Sequence, residues 1–497
     1  MSKSHQHINR QIAKGSVWMV LFKLLEKSIS IVSTVILARL LEPDDFGLVA
    51  IALLVVTLLE LLRAFNFDMA LIQNQEATSE HYNTAWTFNI IATTLIAILL
   101  ITLAPLASSF YEDDRLLNIF LVLSFGVFVS GFENIGVVVF RKELTFHKEF
   151  AFLLGKKLIG FIIGISLALY LRNYWALVGG TVATHIGIVI LSYYIQEYRP
   201  KFSLSKAKEL FGFSGWLFIN NMLNFLNYKM PEAVIGKFAG TSALGVFSVS
   251  VNIAKLSSTE VVLPINRAAF PGYSKLSHDY EALKKSFLNT LGMIALIVIP
   301  ASMGIAAITP VMVPVLLGEK WLDAIPILQL LAIGGMISSI ANTQAIYMSI
   351  GKPKIITLIF AIRLVIAIPV FIYCIYEYGL LTGVASLIVT AIIMLPIAFS
   401  YIFKELQIHF YDLLKRVFRP IVAATLMFGT IHFTIGSLLN ESQPYTGFDL
   451  LGLIALGGIV YIGVTLFLWA ISGRPDSSES HILTTVKDQY QKRFLRA

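Results

Sequence analysis

Lys23 and Lys27 stand one helical turn apart in FKLLEKSIS, residues 22–30, with Glu26 three residues after the first. Positions i and i+4 share a helix face, so both ammonium groups point the same way, and Glu26 lies within pairing reach of Lys23. Lysines arranged this way make a point-charge site for phosphate oxygens. Further cations interrupt apolar sequence at Lys156, Lys157, Lys229, Lys255 and Arg363. Lys156 and Lys157 are 100° apart on a helix, so at most one faces a given cavity; Lys156 is the candidate. Lys255 follows Asn252, and Lys229 follows Asn220, Asn224 and Asn227 at helical spacing. The expected anion-binding set is therefore Lys23, Lys27, Lys156, Lys229, Lys255 and Arg363. The expected polar lining or charge partners are Glu26, Asn220, Asn224, Asn227, Asn252, Glu60 and Glu260.

Charge inside a bilayer costs about 2.5–3.5 kcal/mol per group on insertion scales, so such groups face a cavity or a partner. For Lys23 two readings stand open: snorkelling to the headgroups with Glu26 neutralising it, or a place in a cavity. Glu60 and Arg63 read as a structural i, i+3 pair. Glu133 and Glu232 are further acids able to neutralise the cations. Other chemistry is missing from the sequence. It has no GxxxxGK[ST] loop for nucleotide hydrolysis, no HExxH and no nucleophile elbow. Its single cysteine, Cys374, excludes disulfides and thiolate metal sites. His185 is lone and reads as an interhelical hydrogen bond. No cofactor, metal or enzymatic activity is expected.

The elements that carry these residues follow from composition. Of 497 residues, 57% are hydrophobic and only 14% charged, with mean hydropathy +0.77, a membrane composition rather than a soluble one. A helix needs about 20 apolar residues to cross the hydrocarbon core. That template predicts fourteen spans, near 16–40, 46–64, 82–109, 116–139, 149–170, 174–196, 212–235, 241–263, 286–309, 324–349, 354–376, 379–402, 417–438 and 447–471. With the amino terminus in the cytosol, 26 of the 38 Lys and Arg fall on that side, five on the other and seven inside spans, as the positive-inside rule requires. Both termini are expected to be cytosolic. The +8 net charge serves topology rather than nucleic acid.

An offset of 198 residues aligns Ser16 with Ser214, Trp18 with Trp216, Leu25 with Leu223 and Gly47 with Gly245, and sets Arg39 against Lys237. Six spans separate the copies, so the repeats are parallel. The expected architecture is all-α and polytopic: a lobe at 1–198, a second at 199–410, two further helices in 411–471 and a basic tail at 472–497. Cations concentrated in spans 1, 5, 7 and 8 then point to a positive, hydrated cavity between lobes and to an anionic passenger.

The segments GSVWMVLFKLLEKSISIVSTVILARLLEPDDFGLVAIA, FDMALIQNQEATSEHYNTAWTFNI, FRKELTFHKEF and RAAFPGYSKLS resemble the polysaccharide-transporter branch of the multidrug/oligosaccharidyl-lipid/polysaccharide exporter superfamily, in particular Wzx-type flippases of the colanic-acid exporter kind. The resemblance implies two six-helix lobes plus two helices in a bacterial inner membrane. It also implies translocation of undecaprenyl-diphosphate-linked oligosaccharide repeat units to the periplasmic leaflet, and cationic cavities that receive the diphosphate. Arginines important in the lipid II flippase have no residue-by-residue match here, so the lysines are nominated by depth and face. Expected partners are that lipid-linked oligosaccharide, membrane lipids, a polysaccharide polymerase and glycosyltransferases. An ion-coupled exporter of small amphipathic drugs on the same fold is the alternative.

Overall fold

The computed structural model describes the backbone of residues 3–63, 67–210, 215–438 and 444–474, and side chains there except at 3–14, 16, 210, 215–220 and 438. Helices are the only regular secondary structure among the described residues. The chain divides into two compact units, Met1–Gly245 and Val246–Ala497.

The first unit contains α1 (Lys3–Leu40), α2 (Pro43–Glu60), a 3-10 turn at Leu61–Arg63, α3 (Phe67–Gln73), α4 (Ser79–Tyr111) and α5 (Arg115–Ser130). A second 3-10 turn, Ile135–Val138, leads into α6 (Val139–Lys142), followed by α7 (Phe146–Leu171), α8 (Trp175–Ile195), α9 (Ala207–Leu210) and α10 (Gly215–Phe238). The unit ends in the first turns of α11 (Gly240–Ser257). The second unit continues through α12 (Thr259–Lys275), α13 (Tyr280–Leu316), α14 (Ala324–Ile340), α15 (Gln344–Ser349), α16 (Pro353–Tyr378), α17 (Leu380–Glu405), α18 (Phe410–Leu438) and α19 (Gly447–Ile471). Tyr273, Phe287, Tyr347, Phe399 and Ile402 centre one of its buried cores.

Helix starts obey local chemistry. Pro43 opens α2 where its missing N–H is no loss. Glu42 and Asp45 cap that end reciprocally, and Asp45 also accepts the Tyr174 backbone N–H at 2.8 Å. Thr78 and His81 cap α4 in the same reciprocal way. Close helix packing comes from small residues, as expected in lipid: a Cβ on Gly180 of α8 would lie 3.0 Å from the Gly164 Cα of α7.

Among the described residues, ten helices are long and apolar enough to cross a membrane, or up to twelve if two bent pairs each form one span. The bent pairs are Arg115–Ser130 with Ile135–Lys142, at 66°, and Gly240–Ser257 with Thr259–Lys275, at 41°. The expected first and seventh spans are present as α1 and α10, but Lys23, Glu26, Lys27 and Arg39 on one, and the Asn stripe, Lys229 and Glu232 on the other, weaken them by composition. Fourteen spans is thus a proposal that includes these two. The protein is an all-helical, multi-pass membrane protein.

The 198-residue register is visible within the first unit. A Cβ on Gly47 would fall 1.7 Å from the Thr241 carbonyl oxygen, and one on Gly245 would fall 1.8 Å from that of Pro43. Pro43 and Thr241, like Gly47 and Gly245, are related by that offset, so the contact is reciprocal, as an isologous contact is. Polar pairs surround it: Asp44 accepts from the Thr241 hydroxyl, Arg115 reaches Asp44 at 2.7 Å, and Lys237 reaches Glu112 at 2.8 Å. The Lys237 hydrogen bond and charge hold the Glu112 carboxyl below its usual range.

Candidate functional site

Two sets of charges form inside the first unit. The first lies where α1 meets α7, held by Phe150 against Trp18 at 5.0 Å and Phe22 at 6.5 Å between ring centroids. Lys23 Nζ is 2.7 Å from Glu26 Oε2, and its side chain is 57% exposed. Lys23 is therefore neutralised at the surface. Lys27, one turn deeper, is half-buried. Lys157 of α7 lies within Coulomb range of both Glu26 and Lys27. Lys23, Lys27 and Lys157 thus gather with Glu26 on this face. Of the two adjacent lysines, Lys157 belongs here, although Lys156 was the one expected to join Lys27.

Lys156 turns instead toward the second set. A cavity of about 350 Å³ opens between the end of α2, α3, α4 and the break after α5, lined by Glu60, Arg63, Asp68, Asn89 and Glu133 together with Phe67 and Phe88. Lys156 acts on Glu60 and Glu133, and Arg141 acts on Asp68 and Glu133, through the Coulomb field. Among the described residues, Glu60, Arg63, Asp68, Glu133 and Lys156 form no ion pair or hydrogen bond with one another. The expected Glu60–Arg63 pair is accordingly not made: α2 gives way to a 3-10 turn directly after Glu60, and the regular i, i+3 geometry ends there. Arg141 is the exception with a partner outside the cavity, since its Nε donates to Glu149 at 2.5 Å.

The broken backbone at this cavity is satisfied by side chains, the condition under which irregular backbone is tolerated at membrane depth. Asn134 Oδ1 accepts from the Gly136 N–H at 2.9 Å, and Ser192 Oγ accepts from the Asn134 N–H at 2.9 Å. Gln196 and Asn134 side chains reach the Gly136 and Tyr198 carbonyls, both at 2.6 Å. Behind the wall sits a core of Leu71, Tyr82, Trp86, Ile90, Ile135 and Val138. His185 of α8 lies beside this network in the field of Lys156 and Arg63. Its buried Nδ1 has no hydrogen-bond partner among the described residues, so the interhelical bond expected of it is absent at that nitrogen.

The segment between α8 and α10 is strapped across the start of α4. Tyr198 donates to Asn83 Oδ1 at 2.7 Å, Ser203 and Ser205 donate to Glu80 at 2.7 and 2.9 Å, and His81 Nε2 meets Glu209 at 3.0 Å. Because His81 Nδ1 accepts from the Thr78 N–H at 3.1 Å, its Nε2 carries the hydrogen that Glu209 receives. Lys206 and His81 hold the Glu209 carboxyl below its usual range.

The other expected site residues are placed separately. Lys229 is 2.7 Å from both carboxylate oxygens of Glu232, a buried acid. Asn227 donates to the Leu223 carbonyl of its own helix at 2.9 Å, and Asn224 is half-buried. The Asn220 side chain lies outside the described residues. In the second unit, Lys255 and Asn252 are exposed on α11, while Glu260 on α12 and Arg363 on α16 are half-buried. No group of three or more metal-ligating side chains occurs among the described residues.

Residues 36–326 match the family described as "Polysaccharide biosynthesis protein". The chain belongs to that family. Within the wider comparison it is 24% identical over 343 residues to the lipopolysaccharide biosynthesis protein WzxC of Escherichia coli K12, covering 67% of this chain and 69% of the relative. It is 23% identical to the succinoglycan biosynthesis transport protein ExoT of Rhizobium meliloti, covering 91% and 92%. An uncharacterized membrane protein of the Klebsiella pneumoniae cps region is 25% identical over 97% of this chain and 98% of its own length. Among solved structures, the lipid II flippase MurJ in an inward-closed conformation superposes with a TM-score of 0.70 at 13% identity, over 92% of this chain and all of that one. An inward-facing multidrug MATE-family transporter gives 0.56 at 14%, over 79% and 98%. The chain therefore shares the fold of these two transporters.

For this polysaccharide biosynthesis protein, sequence reasoning found α1's lysines but missed Lys157 and the cavity formed by Asp68, Glu133 and Arg63. Helical phase relative to Lys27 cannot choose between adjacent lysines on a different helix. A break signal was present for the cavity: Gly131 and Asn134, three residues apart, are poor material for a helix interior.

Proposed function

We propose that this protein is a flippase for undecaprenyl-diphosphate-linked oligosaccharide repeat units, moving them from the cytosolic to the periplasmic leaflet of a bacterial inner membrane for surface polysaccharide assembly. The observation that carries the reading is the cation-rich α1–α7 face of a chain in the polysaccharide biosynthesis family. Lys27 and Lys157 would receive the diphosphate there, while the polyprenyl tail stays in lipid. Lys255 and Arg363 would supply the second unit's share, and Asn224, Asn252 and Glu260 the polar lining. Lys23 and Lys229, each held by a glutamate, would contribute through their pairs rather than as bare cations.

Alternating access of two pseudo-symmetric lobes, with both termini cytosolic, would carry the passenger across. Outward movement of a dianion is favoured by a negative-inside potential by roughly 4–5 kcal/mol per 100 mV when no protein charge moves with it. No nucleotide-hydrolysis motif is present in the sequence, so the gradient or potential must drive export. Proteoliposomes carrying a fluorescent undecaprenyl-diphosphate sugar test the reading. The wild type moves the label between leaflets, and Lys27→Ala with Lys255→Ala abolishes movement while membrane insertion is kept. Binding of organic cations with indifference to diphosphate lipids would establish the drug-exporter alternative instead.

A further inference from the structure

We propose that the second unit binds an anionic phospholipid where the ends of α12, α13, α17 and α18 meet. Its headgroup phosphate rests on lysine and arginine side chains, and an acyl chain lies along the first turns of α18. The proposal goes beyond the flippase reading and stands without it. One buried core, with Tyr273, Leu283, Ile402, Leu406 and Leu413, draws these helix ends to one place. Segments 275–285, 352–354 and 404–419 flank residues of that core and carry nine Lys and Arg against four Asp and Glu. Two of the acids serve as helix caps: Asp279 accepts the Ala282 N–H and Asp412 the His409 N–H, each at 3.0 Å. Among the described residues, Lys284, Lys404, Lys415 and Arg416 form no ion pair. Lys284 is instead fixed at the α17–α18 turn, its Nζ donating to the Gln407 carbonyl at 2.8 Å. Lys415 Nζ lies 4.4 Å from the Tyr411 ring centroid. An ammonium group has three donors, so both amines keep hydrogens for a phosphate.

The surface of α18 selects the kind of anion. With 3.6 residues per turn, Phe410, Tyr411, Leu414, Phe418 and Ile421 fall within an arc of about 100° on one face, and all five are exposed. Leu413 and Pro420 point away from that arc and are buried. The helix is long and apolar enough to cross a membrane, so the exposed arc meets acyl chains. Lys415 stands roughly 40° beyond the arc's Tyr411 edge. An apolar strip therefore runs beside a cation where the span begins, and long basic side chains at such places reach the headgroup level. Inorganic phosphate or an acidic protein would use the cations and leave the strip uncovered. A phospholipid covers both, with its chain on Leu414 and Phe418 and its phosphate at Lys415 and Arg416. Basic pockets between spanning helices take anionic headgroups in this way.

The test uses the full-length protein in neutral detergent micelles, titrated with phosphatidylglycerol or phosphatidylcholine and read by native mass spectrometry as lipid retained per protein. The wild type retains phosphatidylglycerol in preference to phosphatidylcholine. Lys415→Gln with Arg416→Gln weakens phosphatidylglycerol binding by about 25-fold, roughly fivefold for each cation lost, and the charge-keeping Lys415→Arg with Arg416→Lys leaves it unchanged. Lys201→Gln with Lys208→Gln removes the same charge from exposed positions of the first unit and also leaves it unchanged. Leu414→Gln with Phe418→Gln weakens both lipids alike. Equal retention of the two lipids by the wild type overturns the site, and so does phosphatidylglycerol binding that survives the Lys415–Arg416 substitution. An equal loss in the Lys201–Lys208 variant overturns it as well, because net charge rather than place would then be responsible. Displacement of the lipid by inorganic phosphate would reduce the site to an anion patch, and displacement by polyglutamate at physiological salt would assign it to an acidic protein; either result overturns the proposal. Undecaprenyl diphosphate is absent from these titrations, so failure of the flippase reading leaves their outcome untouched.

Discussion

The α1–α7 face and the cavity behind the α5 break lie in one unit, and the two adjacent lysines of α7 act in different places. On the face, Glu26 pairs with Lys23, and Lys157 lies in the field of Glu26 and Lys27. The cavity is lined by three acids, Glu60, Asp68 and Glu133, and one base, Arg63, and Lys156 and Arg141 act on those acids through the Coulomb field. The 100° step from Lys156 to Lys157 thus separates the amine that meets the acids of the cavity from the one that meets Glu26 and Lys27. Counting cations along a sequence therefore overstates a single binding surface. What matters is which carboxylates each amine meets, and in a membrane that choice is strongly enforced.

The largest expected effect comes from the contact that holds both regions' scaffold at the other end of the unit. Gly47→Val and Gly245→Val each force a side chain into a carbonyl under 2 Å away. Because backbone must move, the expected cost is upwards of 3 kcal/mol, read as a lower Tm in detergent and loss of polymer export. Full stability in either variant would remove the reciprocal contact from the account.

Next come the charge substitutions that separate face from cavity. Lys157→Gln should weaken undecaprenyl diphosphate binding by about tenfold, the value of one charge-assisted contact. Lys156→Gln should leave that binding within about twofold of the wild type. Equal effects of the two on one ligand would merge the regions into one site.

A smaller effect is expected at Lys229, which serves neither region. Glu232→Gln leaves a partly exposed lysine without its carboxylate, at a cost of about 1–3 kcal/mol once solvent screening is allowed for, seen in Tm. Restoration by the double variant Lys229→Met with Glu232→Leu would mark the pair as structural; failure of that rescue would return Lys229 to the list of ligand contacts.

The smallest effect is at the strap. Tyr198→Phe removes the hydroxyl that donates to Asn83 and Ser79, worth about 1 kcal/mol. Burial pushes this phenol up to about 12 from 10.0. The folded state therefore holds its proton more tightly than the unfolded chain, and the contribution is steady below pH 10 and lost as pH rises from there toward 12. A strap that loosens between pH 5 and 8 would implicate other groups.

Much of the fold was legible because the bilayer restricts the options. Apolar lengths located the helices from α2 to α19, and the Gly47–Gly245 register found at an offset of 198 residues returns as a physical contact. The same apolar template placed spans at 16–40 and 212–235, and the structure has the helices α1 and α10 there. The site was less legible. Lys23 with Glu26, and Lys229 with Glu232, are i, i+3 pairs that local spacing announces. The cavity needs Glu60, Asp68 and Glu133 from three separate segments, brought together only by the breaks after α2 and α5. No single stretch of sequence carries that proximity. The strap was missed for the same reason: Tyr198, Ser203 and Glu209 are ordinary loop residues until α4 is placed beneath them.

The central claim is that, of the two adjacent lysines on α7, Lys157 receives the diphosphate and Lys156 does not, and one titration tests it. Undecaprenyl diphosphate is titrated against wild-type, Lys156→Gln and Lys157→Gln proteins in nanodiscs at one salt concentration. The account predicts an affinity about tenfold weaker for Lys157→Gln and one within about twofold of wild type for Lys156→Gln. Unchanged binding in Lys157→Gln, or a loss confined to Lys156→Gln, would contradict it.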